Sequence, residues 1–295
     1  MVADGKLIVS SRAFDSPYSM MLAYDIASGR EIWRTYLDGD AESVPTLHDG
    51  RVYLTTGVGR MSIDREEKHG DTVRRYGRAG GPVSVFALTG QDRDVAVYQD
   101  WDTIRCRDAK TGTPLPGGFG AAASWGQSHS TAVREPGSNT AYLHSSSSNT
   151  VIAMDLASCK QLWVKDTGGG IDSHSSPVLT DPASGPAELV TFTAAGARGH
   201  DPKTGEVTWD SKLGGSSACE PGPAPLTSPA VWGDIAYVAG RDGVVRAYDT
   251  GAADPSKPVW ESKSGYLPGE SPLDDKWRVA MGCKAGAGSP WRGWG

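Results

Sequence analysis

Apolar and polar positions fall into short runs along most of the chain, interrupted by glycine–aspartate pairs. The clearest stretch begins with Ser228-Pro229-Ala230-Val231-Trp232, an apolar run closed by the turn Gly233-Asp234. Residues 235–239 form a second run, 240–243 a turn, 244–248 a third run, and a fourth surrounds Val259-Trp260. Runs this short, rich in β-branched and aromatic residues and punctuated by turn residues, predict a four-stranded antiparallel meander. Ser176-Pro177-Val178-Leu179 and Ser43-Val44-Pro45-Thr46-Leu47 open further meanders in the same way. No run reaches the roughly 18 apolar residues that a membrane-spanning helix needs.

A longer pattern organises these runs. The segment from Ala23 through Asp25 and Gly29 to Trp33 reads A-x-D-x-x-x-G-x-x-x-W. It returns from Ala153 through Asp155 to Trp163, with Cys159 in the glycine place, and from Gly199 through Asp201 and Gly205 to Trp209. With a short insertion it returns from Ala247 through Asp249 to Trp260. A weaker copy runs from Cys106 through Asp108 to Gly112, with Pro116 in the tryptophan place, and a sixth ends at Gly77 in the aspartate place. Asp108, Asp155, Asp201 and Asp249 follow one another at 47, 46 and 48 residues. Only 31 residues separate Gly77 from Asp108, so a repeat there is expected to lack a strand or be irregular. The motif has a physical logic. Aspartate bonds turn amides, glycine takes the positive φ of a tight turn, and the indole offers a flat apolar face to a neighbouring sheet. Cys106 stands where the other copies have a small residue and is expected to be buried; Cys159, in a turn-glycine place, is expected to be exposed.

The motif resembles the tryptophan-docking motif of the pyrroloquinoline quinone (PQQ)-like, or quinoprotein alcohol dehydrogenase-like, propellers, over nearly the whole chain. The resemblance implies an all-β fold: one β-propeller domain spanning 1–295, built of four-stranded antiparallel blades, since only a ring or stack of such sheets buries both faces of each. Third strands near residues 25, 77, 108, 155, 201 and 249 give six blades, or seven or eight if the chain is truncated. Val2 to Ser10 reads as the end of a first strand, a turn and a second strand, while Ser289-Pro290-Trp291-Arg292 reads as another first strand. By analogy the C-terminal strand closes the ring as the inner strand of the first blade. The family is mostly extracytoplasmic, secreted or at the periplasm or cell surface. Met1 to Gly5 carries no basic and apolar leader, which leaves the cytoplasm open.

Charge and chemistry narrow the function. The 295 residues carry a formal net charge of −6, which excludes a general nucleic-acid binder. The 38 glycines and 19 prolines suit a turn-rich fold. Four cysteines form neither a C-x-x-C pair nor a zinc pattern. In the family's topology, three features meet on the loop-rich face. The insertion 58–70, with Arg60, Asp64, Arg65, Glu66, Glu67, Lys68 and His69, is a candidate partner-contacting loop or a solvated hairpin tip. His129, His174 and Glu42 hold equivalent places just before inner strands. They are candidate ligands for a metal or small polar molecule at a channel mouth, or loop-bonding residues encoded by the repeat. The long loops 214–227 and 264–288 carry Cys219 and Cys283, a candidate disulfide in an oxidising compartment. No G-x-S-x-G, H-E-x-x-H or phosphate-binding loop is present. Nor is the adjacent cysteine pair of the PQQ-dependent dehydrogenases, so no PQQ cofactor is expected. The leading expectation is a non-enzymatic scaffold that binds a protein, peptide or polysaccharide. The alternative is an enzyme or small-ligand protein built on Glu42, His129 and His174.

Overall fold

The computed structural model describes residues 1–12, 19–37, 40–41, 45–57, 82–100, 103–120, 130–145, 149–168, 175–181, 186–193, 195–213, 228–240 and 243–263. Every regular element among them is a β-strand, so none is a helix able to cross a membrane. The chain divides into two compact units, Met1–Ala141 with Met154–Leu162 and Tyr142–Ala153 with Trp163–Gly295.

Five four-stranded sheets are described, each an antiparallel meander in chain order and each carrying one motif aspartate. The Asp25 sheet runs β1 (Val2–Ala3), β2 (Lys6–Arg12), β3 (Ser19–Asp25) and β4 (Glu31–Leu37). Two short pairs follow, β5 (Asp40–Ala41) with β8 (Thr56–Gly57) and β6 (Thr46–His48) with β7 (Arg51–Tyr53). The Asp108 sheet comprises β9 (Ser84–Ala87), β10 (Asp94–Asp100), β11 (Thr103–Asp108) and β12 (Phe119–Gly120). The Asp155 sheet comprises β13 (Val133–Arg134), β14 (Thr140–Ser145), β15 (Thr150–Asp155) and β16 (Lys160–Asp166). The Asp201 sheet comprises β17 (Val178–Thr180), β18 (Glu188–Thr193), β19 (Gly196–His200) and β20 (Val207–Asp210). The Asp249 sheet comprises β21 (Ala230–Trp232), β22 (Ile235–Ala239), β23 (Val244–Asp249) and β24 (Trp260–Lys263). The short interval before Asp108 therefore removes no strand from its own sheet, which begins at Ser84; only the outermost strand is cut to two residues. The first strand, turn and second strand read at Val2 to Ser10 are present as β1 and β2. The sixth motif copy at Gly77 and the proposed closing strand at 289–292 lie outside the described residues.

The turns behave as their residues dictate. Asp201 accepts hydrogen bonds from the amides of Lys203 (2.7 Å) and Thr204 (3.1 Å), and the Gly205 amide returns to the Asp201 carbonyl at 2.7 Å. Gly205 has φ +72°, a conformation a side chain strains against. Asp25 and Asp108 repeat the arrangement. The Ser28 hydroxyl and amide hold the Asp25 carboxyl below the ordinary carboxylate range, and the Thr111 amide and hydroxyl do the same for Asp108. Asp201→Ala removes the one carboxylate oxygen, Oδ1, that accepts both bonds and is expected to cost about 1 kcal/mol, with faster hydrogen exchange at Lys203 and Thr204. Unchanged exchange at those two amides would contradict the turn's dependence on the carboxylate.

The motif tryptophans differ in depth. The small motif residue is the cross-strand partner of the indole in three sheets: Ala23 with Trp33, Gly199 with Trp209, and Ala247 with Trp260. Trp209 is 8% exposed and stacks on Tyr248 of the next sheet, with ring centroids 5.9 Å apart. It lies so close over Gly199 that a Cβ there would fall 2.1 Å from its Nε1. That crowding explains glycine in place of the usual alanine. Trp163 reaches the next sheet's turn, donating to the Pro202 carbonyl at 3.1 Å and resting its ring against Gly205. Trp33 is half-buried, and Trp260, in the last described sheet, is 44% exposed.

One expectation is overturned. Cys159 is not an exposed turn residue; it is fully buried and disulfide-bonded to Cys106, which is buried but not free. Read within one repeat, the two cysteines look unrelated. The small place of one repeat and the turn place of the next lie one repeat plus six residues apart, and the observed separation is 53 residues.

Candidate functional site

Antiparallel order sends the second-to-third connections, and the links to the next sheet, to one end of each meander. The motif turns occupy the other end. The candidates from the sequence are Glu42, His129 and His174, the insertion with Arg60, Arg65, Glu66, Lys68 and His69, and Cys219 with Cys283. All of them lie outside the described residues. The residues that flank them show how the first end is held.

Where inner strands begin, short polar side chains tie neighbouring sheets at three joints among the described residues. In the first unit, Thr46 donates to the Val83 carbonyl at 2.6 Å, and the Ala132 amide donates to the Ser84 hydroxyl at 3.0 Å. In the second unit, the Ser228 hydroxyl donates to that of Ser176, an equivalent position one repeat earlier, at 3.1 Å. The serines of the two Ser-Pro openings, Ser176 and Ser228, thus close an inter-sheet joint. This accounts for Ser-Pro as the recurring opening of a meander, since proline fixes φ and needs no donor at a strand start.

Two histidines that the sequence pattern does not single out lie buried, His144 beneath this end and His200 at the motif-turn end of its sheet. His144 Nδ1 donates to the carbonyl of Ser175, directly after the His174 place, at 3.2 Å. His200 Nδ1 donates to the Gly205 carbonyl at 3.2 Å, and its Nε2 meets the Thr191 hydroxyl at 3.0 Å. A carbonyl can only accept, so each ring carries its proton on Nδ1. Burial lowers the His144 pKa from 6.5 to about 4, against the opposing pull of the Ser175 carbonyl, and His200 lowers it further. Burial lowers that of His200 as well. Both imidazoles are therefore neutral hydrogen-bonding struts at neutral pH. His200 left a faint mark in the sequence, standing in the motif place where Tyr24 and Tyr248 occur; His144 left none.

The remaining joints are polar and specific. Between the short β6–β7 hairpin and the Asp108 sheet, His48 pairs with Asp94 at 2.6 Å, Tyr53 donates to the Ala109 carbonyl at 2.9 Å and Arg51 to that of Lys110 at 2.6 Å. Asn139 clamps Thr89 with two bonds, accepting from its amide at 2.7 Å and donating to its carbonyl at 3.2 Å. Across the outer strands, apolar side chains stay in water: Ile32 and Tyr36 on β4, and Leu162 and Val164 on β16. Among the described strands both are sheet edges. Among the described residues no group of three or more His, Cys, Asp or Glu is placed to hold a metal ion.

Comparison with known proteins agrees with this architecture. The family model described as outer membrane protein assembly factor BamB matches residues 1–87 and 79–276. The crystal structure of BamB from Moraxella catarrhalis superposes with a TM-score of 0.58 at 16% identity, covering 89% of this chain and 72% of that one. The Dos1 propeller gives 0.47 at 13% identity, with 89% and 58% covered. The computationally designed Ika8 protein gives 0.42 at 14%, with 86% and 62% covered. A search of curated proteins finds no match. At such identities the Moraxella structure speaks for the fold alone, that of a PQQ-like β-propeller.

Proposed function

Because the chain belongs to the family of the outer membrane protein assembly factor BamB, we propose that it is a non-enzymatic scaffold that holds a protein or peptide partner at its loop-bearing end. The family match across residues 1–276 carries this reading. Two features of the chain support it. The polar side chains at the inner-strand starts are engaged in joining sheets, which gives the connecting loops a rigid base on which a binding surface can vary. The edge strands β4 and β16 offer ladders unpaired among the described strands and flanked by exposed apolar side chains, the chemistry of strand addition by an extended segment. The scaffold works outside the cytoplasm, a placement favoured by the buried disulfide. It needs no quinone, so adding PQQ leaves its melting temperature unchanged.

Photocrosslinking in the native host tests the binding surface. A photoreactive amino acid placed at Arg65 or Lys68 is expected to trap one discrete protein partner. The same group at Lys110, in the Asp108 turn at the other end of its sheet, traps none. Capture from Lys110 with silence at both loop positions defeats the assignment of the surface. A metal that copurifies with the chain and is lost in the His129→Ala, His174→Ala double variant defeats the scaffold reading itself.

A further inference from the structure

We propose that the Cys106–Cys159 disulfide takes the place of a missing docked indole, so that one sheet-to-sheet joint is closed by oxidation instead of by packing. At the joint after the Asp155 sheet, an indole connects two places in the repeat. Trp163 lies on the outer strand next to the one that carries the small motif place, the place an indole partners in the Asp25, Asp201 and Asp249 sheets, and its ring rests against the turn glycine of the following sheet, Gly205. At the joint after the Asp108 sheet, the tryptophan place holds Pro116, which is exposed. The two places that the indole would connect are Cys106, in the small place, and Cys159, in the turn-glycine place of the next sheet. They are covalently joined with Cα atoms 5.9 Å apart.

The surroundings have adapted to the substitution. A Cβ on Gly117 would fall 2.1 Å from the Ser158 carbonyl oxygen, and the Gly118 amide donates to the Cys159 carbonyl at 2.9 Å. The chain following Pro116 thus lies directly on the next sheet's turn, leaving no room for an indole. Cys159 keeps the positive φ of the glycine it replaces, at 56°. That conformation disfavours a side chain, and the covalent tie offsets the cost.

Closing the bond converts two thiols to one disulfide. Two protons are released and two electrons pass to an oxidant of the disulfide class through a mixed-disulfide intermediate. Both cysteines are buried, at 2% and 0% exposure, so an added thiol has no line of attack in the folded state. The bond is a staple set during folding and not a surface switch. This inference stands apart from the binding reading, and its tests use stability and thiol chemistry only.

In the oxidised full-length chain, Cys106→Ala with Cys159→Gly restores the residues usual in the repeat but leaves the joint with neither tie. The melting temperature is expected to fall by about 6 °C. Wild type refolded in excess reductant matches the double variant treated alike or loses refolding yield, while reductant added to folded wild type leaves Cys106 and Cys159 unlabelled by a thiol reagent, read by peptide mapping, until denaturant is added. The decisive arm is a transplant. In a Trp163→Ala background, Ala153→Cys with Gly205→Cys is expected to close spontaneously and recover at least half of the stability lost. A double variant as stable as wild type, full recovery of wild-type stability in reductant, or a transplanted pair that stays reduced each overturns the proposal.

Discussion

Replacing Trp209 with alanine is expected to lower the stability of the fold by about 4 kcal/mol, a fall in melting temperature of about 10 °C. The indole lies in a cluster with Val190, Phe192, Ala197, Ala236, Val238 and Tyr248, side chains drawn from the Asp201 and Asp249 sheets. Truncation opens a cavity that these residues cannot fill, because Gly199 beneath the ring has no side chain to move in. It also takes the indole N–H from Glu188, whose carboxylate accepts it at 2.6 Å, leaving that oxygen without its donor in a half-buried place. Urea unfolding at constant slope measures the loss. Trp209→Phe keeps the stacking on Tyr248 and is expected to cost about 1–2 kcal/mol, chiefly the hydrogen bond. Trp260→Ala, at the same motif place but on a ring 44% exposed, is expected to cost less than 1 kcal/mol. If Trp209 and Trp260 proved equally tolerant, the indole would not be what fastens these sheets.

That contrast marks how far the sequence could be read. The Asp-to-Gly turns were legible because their forces are local: a carboxylate three residues from the amide it binds, and a glycine where φ must be positive. The strands were legible for the same reason, down to β1 and β2 from the first residues. What one repeat cannot encode is what its neighbour brings. Trp209 and Trp260 occupy one motif place, yet the first is covered by Tyr248 of the following sheet and the second is not. Cys106 and Cys159 looked like a buried spare thiol and an exposed turn residue, because each was compared with its counterparts in other repeats and not with what faces it across a joint. At the loop-bearing end, the equivalence of the segments before inner strands was visible through Ser176-Pro177 and Ser228-Pro229. The buried His144 strut beneath Ser175 was not, since β14 gives no periodic reason for a polar residue among Tyr142 and Leu143.

That strut makes the fold acid-sensitive in a defined window. Above pH 6.5, His144 is neutral in both folded and unfolded chains and contributes nothing to pH dependence. Below 6.5 the unfolded imidazole takes up a proton, while the folded one resists until about pH 4, because burial removes the water that would solvate the charge. The unfolded state then holds more protons, so stability falls with pH across this interval and levels off below it. The full loss from this group is about 3 kcal/mol, or a drop in melting temperature of about 7 °C between pH 7 and pH 4. His200 pushes in the same direction, because its own burial outweighs the Gly205 carbonyl and the nearby Asp210, and the positive charge of Arg198 adds to the effect. The turn carboxylates of Asp25 and Asp108 are held below their ordinary range and add acid sensitivity only under about pH 4, outside the window. His144→Asn keeps an N–H to offer the Ser175 carbonyl and removes the titration. Its stability at pH 7 is expected to be modestly lower than that of wild type, while its slope between pH 6.5 and 4.5 is expected to be at least halved. Urea midpoints at half-unit pH steps for the two proteins decide the matter. Parallel curves across that interval would place the proton uptake elsewhere and remove His144 as the cause.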